Sequence, residues 1–174
     1  MSAPQTGARV VCISGGTSGI GAALVRAFLA AGDWVYAFAR RPEGVARLAA
    51  DHAEASGRLT ALAGDVTDEA FRAGLMSRIG EERGRLDVLI NNAGIIRGSG
   101  YLEETLEDWR ATLEVNLVAP FALTRAAAPL LQRAADPCVI NLSSACAQHP
   151  YTTCTSTSYS VSKAGLDMLT LRLA

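Results

Sequence analysis

A chain of 174 residues with 49% hydrophobic residues carries enough apolar material for one domain with a substantial core. Its 16 basic and 17 acidic residues are intermixed and leave a net charge of −1, which excludes the basic stripe of a nucleic-acid binder. No apolar run reaches the roughly 18–20 residues of a membrane span, and the opening MSAPQTGARV lacks the basic start and long apolar segment of a signal peptide, so a cytoplasmic location is expected.

Residues 9–14 (RVVCIS) form a continuous apolar run closed by glycines, which suits a strand buried on both faces. Over residues 19–31, Ile20, Ala23, Leu24, Ala27, Phe28 and Ala31 recur three and four apart. That spacing predicts a helix with one apolar face, stopped by Gly32. Trp34–Ala39 predicts a second strand, and Pro42 is placed to open the next helix. Leu59–Ala63 predicts a third strand, with Asp68 beginning another helical stretch. Residues 86–90 (LDVLI) predict a fourth strand that ends at Asn91-Asn92-Ala93-Gly94. Two helical segments, 106–115 and 116–134, precede a fifth strand at 138–142, a polar loop at 143–158 and a last helix from Tyr159.

Strands alternating with helices at this spacing imply βαβ units, hence an α/β fold with a doubly wound parallel sheet covered on both faces. Right-handed crossovers leave few topologies. No repeat, linker or low-complexity tract interrupts the chain, so residues 1–174 read as a single domain. Cys12 and Cys138 lie inside apolar runs and are expected as buried thiols, while Cys146 and Cys154 fall in the Ser/Thr-rich loop. With no C-x-x-C pair and no partner ligands, a zinc site is not expected; reduced thiols are. His52 reads as a surface residue and His149 as an exposed loop residue.

The loop Ser14-Gly15-Gly16-Thr17-Ser18-Gly19-Ile20-Gly21 joins the first strand to the first helix. Glycines there allow a tight turn and close approach of a pyrophosphate, which the unpaired amides of the helix start can bind. The strand–loop–helix context strengthens an otherwise weak glycine signal. At the end of the second strand an acid would suit the free 2′-hydroxyl of NAD, and arginine a 2′-phosphate. The chain reads Phe38-Ala39-Arg40-Arg41, so NADP(H) is the expected cofactor, with Arg40 as main phosphate contact and Arg41 as support. Tyr159 and Lys163, four apart, share one helix face. A cation beside a phenol favours its ionised form and makes a proton donor and acceptor of a group otherwise inert at neutral pH.

The glycine loop, Asp65, the Asn-Asn-Ala-Gly run, Asn116, Ser144, Tyr159 and Lys163 occur in one order along nearly the whole chain. Together they resemble the short-chain dehydrogenase/reductase family. The resemblance implies a Rossmann-type sheet of order 3-2-1-4-5 and hydride transfer between a nicotinamide and a small alcohol or ketone. It places Gly15, Gly19, Ile20 and Gly21 at the pyrophosphate, with Thr17 and Ser18 of the same loop also binding cofactor. Asp65 and Val66 are implied at the adenine, and Asn92, Ala93 and Gly94 beside the adenosine ribose.

By the same resemblance Tyr159 is the general acid and base, and Lys163 assists it and binds the nicotinamide ribose. Ser144 polarises the carbonyl, and Asn116 keeps a helix irregularity and a water chain toward the lysine. Ser143 is adjacent, and the interval from Ser144 to Tyr159 is longer than is common in the family. The loop is therefore expected to bulge, which leaves Ser143 or a threonine open for Ser144's role. Ile95, Ile96, Cys146, Tyr151, Thr153 and Cys154 are candidates for one wall of the substrate pocket.

Family members continue beyond this helix with further strands and a substrate-covering loop. A fragment or a product cut short is therefore expected, poorly soluble and weakly active alone. The last segment is apolar nearly all round, and the resemblance implies a homo-oligomer packed through it and the 116–134 helix. The alternatives are a catalytically silent nucleotide-binding module and an interaction subunit.

Overall fold

The computed structural model describes residues 7–55, 57–149 and 154–174. Strand β1 (Val10–Ser14) is buried at every position, as its unbroken apolar run predicts. Helix α1 (Gly19–Ala30), strand β2 (Trp34–Ala39), helix α2 (Pro42–Asp51) and strand β3 (Leu59–Ala63) follow. Helix α3 (Glu69–Arg83) leads into strand β4 (Val88–Asn91), then helix α4 (Leu106–Leu113) and, through a π-helical turn at Glu114–Val118, helix α5 (Ala119–Leu131). Strand β5 (Cys138–Asn141) and helix α6 (Thr157–Leu173) complete the order. The five strands are all parallel and lie in the order β3-β2-β1-β4-β5, the Rossmann-type arrangement.

Alternation along the central strands feeds two cores, since successive side chains point to opposite faces of the sheet. Val10, Cys12, Tyr36 and Phe38 pack on one face with Leu75, Ile79 and Leu123 from α3 and α5. Val11, Ile13, Val35 and Ala37 pack on the other with Val25, Leu29 and Leu48 from α1 and α2. Cys12 is fully buried, and loss of water pushes its thiol up to about 12.

Three expectations need correction. Cys138 is exposed, because β5 is an edge strand with only one flank covered. Cys146 and Cys154 are joined in a disulfide, not free thiols: the loop folds back on itself and brings their Cα atoms to 5.7 Å, within bridging range. The last helix begins at Thr157 rather than Tyr159, because the Ser156 hydroxyl accepts the Tyr159 amide and caps it there. Its apolar residues are not all buried: Met168 is 58% and Leu171 70% exposed.

Candidate active site

The loop after β1 is shaped by contacts that only glycine permits. Gly15 takes φ +68°, and a Cβ on Gly21 would fall 2.2 Å from the Gly15 carbonyl oxygen. α1 can therefore start against the strand end. Ser18 at its N-cap makes no side-chain bond to the first turn, whereas Asp68 and Ser156 bond the first turns of α3 and α6. The first turn of α1 thus carries no side-chain cap from Ser18 and no acidic residue, at the end of the helix where the dipole is positive.

Beside this loop a cleft is lined by Gly15, Thr17, Ser18, Arg40, Arg41, Asp65, Val66, Ala93 and Gly94. Phe38, Gly64, Ile95 and Val115 complete its walls. Gly64 is required there because any Cβ would strike the Phe71 ring, which itself packs tilted against Phe38 with ring centroids 5.1 Å apart. Arg40 and Arg41 are exposed, and neither forms a salt bridge among the described residues. Asp65 accepts the amide and hydroxyl of Thr67 at 2.9 and 2.8 Å, a local turn at the end of β3. Ile20 is 63% exposed on the first turn of α1, and neither it nor Gly19 nor Gly21 is among the residues that line the cleft.

Asn92 does not face the cleft. Its side-chain amide donates to the carbonyls of Ser14 and Gly15 at 2.9 and 3.1 Å. The Ser14 hydroxyl in turn accepts the amides of Asn92 and Ala93, both at 3.0 Å.

The catalytic candidates gather at the same end of the sheet. Asn116 is fully buried in the π-helical turn. Its amide exchanges two bonds with the Ile95 backbone, at 2.8 and 2.9 Å, and donates to Ser162 Oγ at 3.1 Å. Lys163 is 4% exposed and donates to the Leu142 carbonyl at 2.6 Å. Burial pulls its ammonium below the ordinary lysine value, with Asp167 opposing that pull. A Cβ on Gly94 would stand 3.4 Å from Asn116 Oδ1 and 3.7 Å from Lys163 Nζ, so the cleft wall at Gly94 lies in van der Waals reach of both side chains.

Tyr159 is half-buried, with its ring centroid 5.8 Å from Lys163 Nζ. No hydrogen bond engages its hydroxyl among the described residues. Ser144 is half-buried and accepts the Cys146 amide at 3.2 Å, opening a 3-10 turn over Ala145–Ala147. Ser143 is exposed. Of the candidates for a substrate wall, Ile95 lines the cleft just described, Ile96 is 65% exposed, and Cys146 and Cys154 form the disulfide. Tyr151 and Thr153 lie outside the described residues. His149 is exposed. No cluster of metal-binding side chains occurs among the described residues.

The family model "short chain dehydrogenase" matches residues 9–174. The chain belongs to the short-chain dehydrogenase family. Among members of that family, D-threitol dehydrogenase of Mycolicibacterium smegmatis is 32% identical over 136 residues, covering 78% of this chain and 52% of its own length. A short chain dehydrogenase of Pseudocercospora fijiensis is 34% identical, covering 93% of this chain and 52% of its own. The chain thus spans about half the length of these two relatives. Among solved structures, NADPH-bound carbonyl reductase from chicken fatty liver superposes with a TM-score of 0.85 at 34% identity, over 94% of this chain and 71% of that one. No described helix is long and apolar enough to cross a membrane.

Proposed function

We propose that this short-chain dehydrogenase, as a single nucleotide-binding domain, takes NADP(H) and reduces or oxidises a small ketone or alcohol. The observation that carries this reading is buried Lys163 beside Gly94 on the cleft wall, next to a Tyr159 hydroxyl that no described protein group engages. The residues present fit the cofactor. Gly15 and Gly94 line the cleft, the uncapped start of α1 suits the pyrophosphate, and Asp65 and Val66 close the adenine end. Two uncommitted arginines at the end of β2, where a carboxylate would favour NAD, suit a 2′-phosphate. Three structures similar to this chain are complexes with NADP or NADPH.

Bound NADP(H) supplies the hydride donor or acceptor. This chain's own side chains manage the oxygen and its proton. Ser144 donates to the carbonyl oxygen and orients it, as its half-buried position favours over exposed Ser143. Tyr159 delivers the proton as charge grows on that oxygen, and removes it in the reverse direction. Lys163, dehydrated and held by Leu142, stabilises the phenolate and binds the nicotinamide ribose. Asn116 clamps Ile95 and the α6 residue Ser162, and so sets the distance between cleft and helix. The exposed Val118, Phe121, Val161, Met168 and Leu171 support self-association through α5 and α6.

NADPH consumption with diacetyl and acetophenone tests the reading. Tyr159→Phe should lower turnover about 10²–10⁴-fold with NADPH affinity retained, and Arg40→Ala should weaken NADPH binding about tenfold while leaving NADH binding unchanged. Turnover unaffected in Tyr159→Phe removes the mechanism. Tighter binding of NADH than NADPH removes the cofactor assignment. Clear NADPH binding with no turnover of any carbonyl favours a silent module instead.

A further inference from the structure

α6 carries both Tyr159 and Lys163, and its first two turns are anchored by different parts of the chain. The second turn is held by Asn116 on Ser162 and by the Leu142 carbonyl on Lys163. The first turn, with Tyr159, is held from the loop that follows β4. There the Glu104 carboxylate accepts the Thr157 amide on one oxygen at 2.5 Å and the Ser158 amide on the other at 2.9 Å. Ser156 accepts the Tyr159 amide at 3.3 Å and itself donates to the Arg97 carbonyl at 3.0 Å. The Gly100 amide donates to the Thr155 carbonyl at 2.6 Å.

The first three amides of α6 thus all have acceptors, two of them on one side chain more than fifty residues earlier in the chain. A helix start leaves these donors without partners inside the helix, and a carboxylate there also meets the positive end of the helix dipole. Burial alone raises the Glu104 carboxyl, but the bonds from Ser158, Thr157 and Ser156 together hold it below the usual carboxylate range. Gly98 makes room for the approach. It takes φ +67°, and a Cβ on it would lie 2.4 Å from Glu104 Cγ and 3.3 Å from its Cα.

We propose that Glu104 is a positioning residue for Tyr159, fixing through its two amide bonds the first turn of α6 and hence the point from which the phenol meets substrate. The proposal rests on the assignment of Tyr159 as the proton donor. Lys163, Asn116 and the cofactor cleft are held by other contacts, so losing Glu104 should disturb the phenol and spare cofactor binding. A cap that merely supported the fold would not separate the two.

Glu104→Gln keeps the shape but presents an amide to one of the two N–H groups; Glu104→Asp keeps the carboxylate on a shorter stem. In diacetyl reduction Glu104→Gln should lower kcat about ten- to hundred-fold, with the Kd for NADPH within about twofold of the parent, and Glu104→Asp should recover part of the loss. Gly98→Ala should reproduce the Glu104→Gln pattern. Fluorine NMR of fluorotyrosine-labelled protein gives a reading independent of turnover. The Tyr159 signal, assigned by its loss in Tyr159→Phe, should broaden or split in Glu104→Gln, while that of fully buried Tyr36 stays put. An unchanged Tyr159 signal overturns the proposal, as does an unchanged kcat or a kcat loss matched by an equal loss of NADPH affinity. If the parent chain reduces none of the carbonyls, the assignment of Tyr159 fails, and the fluorine signal alone decides whether Glu104 sets its place.

Discussion

Lys163 is a charge held where the fold would prefer none. Dehydration lowers its folded pKa beneath the ordinary 10.5, against the weaker pull of Asp167. Between the folded value and 10.5 the unfolded chain binds more protons than the native one, so stability gained from this group rises with pH across that window. Lys163→Met should therefore be more stable than the parent at neutral pH, and its advantage should shrink as pH approaches 10. Urea midpoints of both proteins across that range check the sign; parallel curves would contradict it.

At this scale the sequence was readable wherever chemistry repeats locally. The Tyr159/Lys163 spacing and the glycine loop are examples, because a helix turn and a tight turn each constrain neighbours a few residues apart. Glu104 was not readable. A lone glutamate in a loop reads as solvated, and its partners lie at separations of 53 and 54 residues. Asn92 was readable in part: its position beside the cleft is legible, but not that its side chain turns back to the Ser14 and Gly15 carbonyls.

Between β5 and α6 the chain carries Ser144 at one end and Ser156 at the other, and the Cys146–Cys154 bridge closes the stretch between them. Each cysteine stands two residues from one of those serines. Closing a loop of this length is worth about 2.5 kcal/mol in the chain-entropy view. Cys154→Ser should lose stability of that order, and protease should cut between Ser144 and Ser156 faster in the variant or after a dithiol than in the oxidised parent. Peptide mapping with and without reductant checks both the bridge and the cuts; free thiols at both positions in the untreated protein would remove the basis of the prediction.

Elements with one strong pattern, such as β2 and β3, have the expected bounds. The last helix did not, because Thr155, Ser156, Thr157 and Ser158 are all plausible caps and only the fold selects among them. Periodicity over residues 106–134 placed a boundary near Asn116. The side-chain bonds that occupy the break there, from Asn116 to Ile95 and Ser162, come from segments the pattern cannot connect.

For the whole molecule, alternation of strand and helix was enough for a parallel sheet, since only crossovers of that kind fit the spacing. The order β3-β2-β1-β4-β5 came from the family resemblance, because every strand is apolar and no pattern says which lies beside which. The cleft and the four catalytic candidates fall at the carboxyl end of the sheet, where open α/β sheets bind ligands.

The exposed apolar residues belong to this scale as well. Val118 and Phe121 on the π-turn and α5, and Val161, Met168 and Leu171 on α6, are exposed on the two helices proposed to self-associate. Sedimentation velocity should show association that grows with concentration, and Phe121→Asp combined with Met168→Asp should return the protein to monomer. A single concentration-independent monomer in the parent would assign those faces another role.

The Ser14 hydroxyl accepts the amides of Asn92 and Ala93, and the Asn92 side chain returns two bonds to Ser14 and Gly15. Four bonds thus weld the end of β1 to the end of β4. The ledge that would bear the phosphates and the ledge beside Gly94 and Lys163 are one plate, with no joint between them. Groups resting on such a plate keep their spacing when the surrounding loops move, whatever sets the place of the phenol beside them.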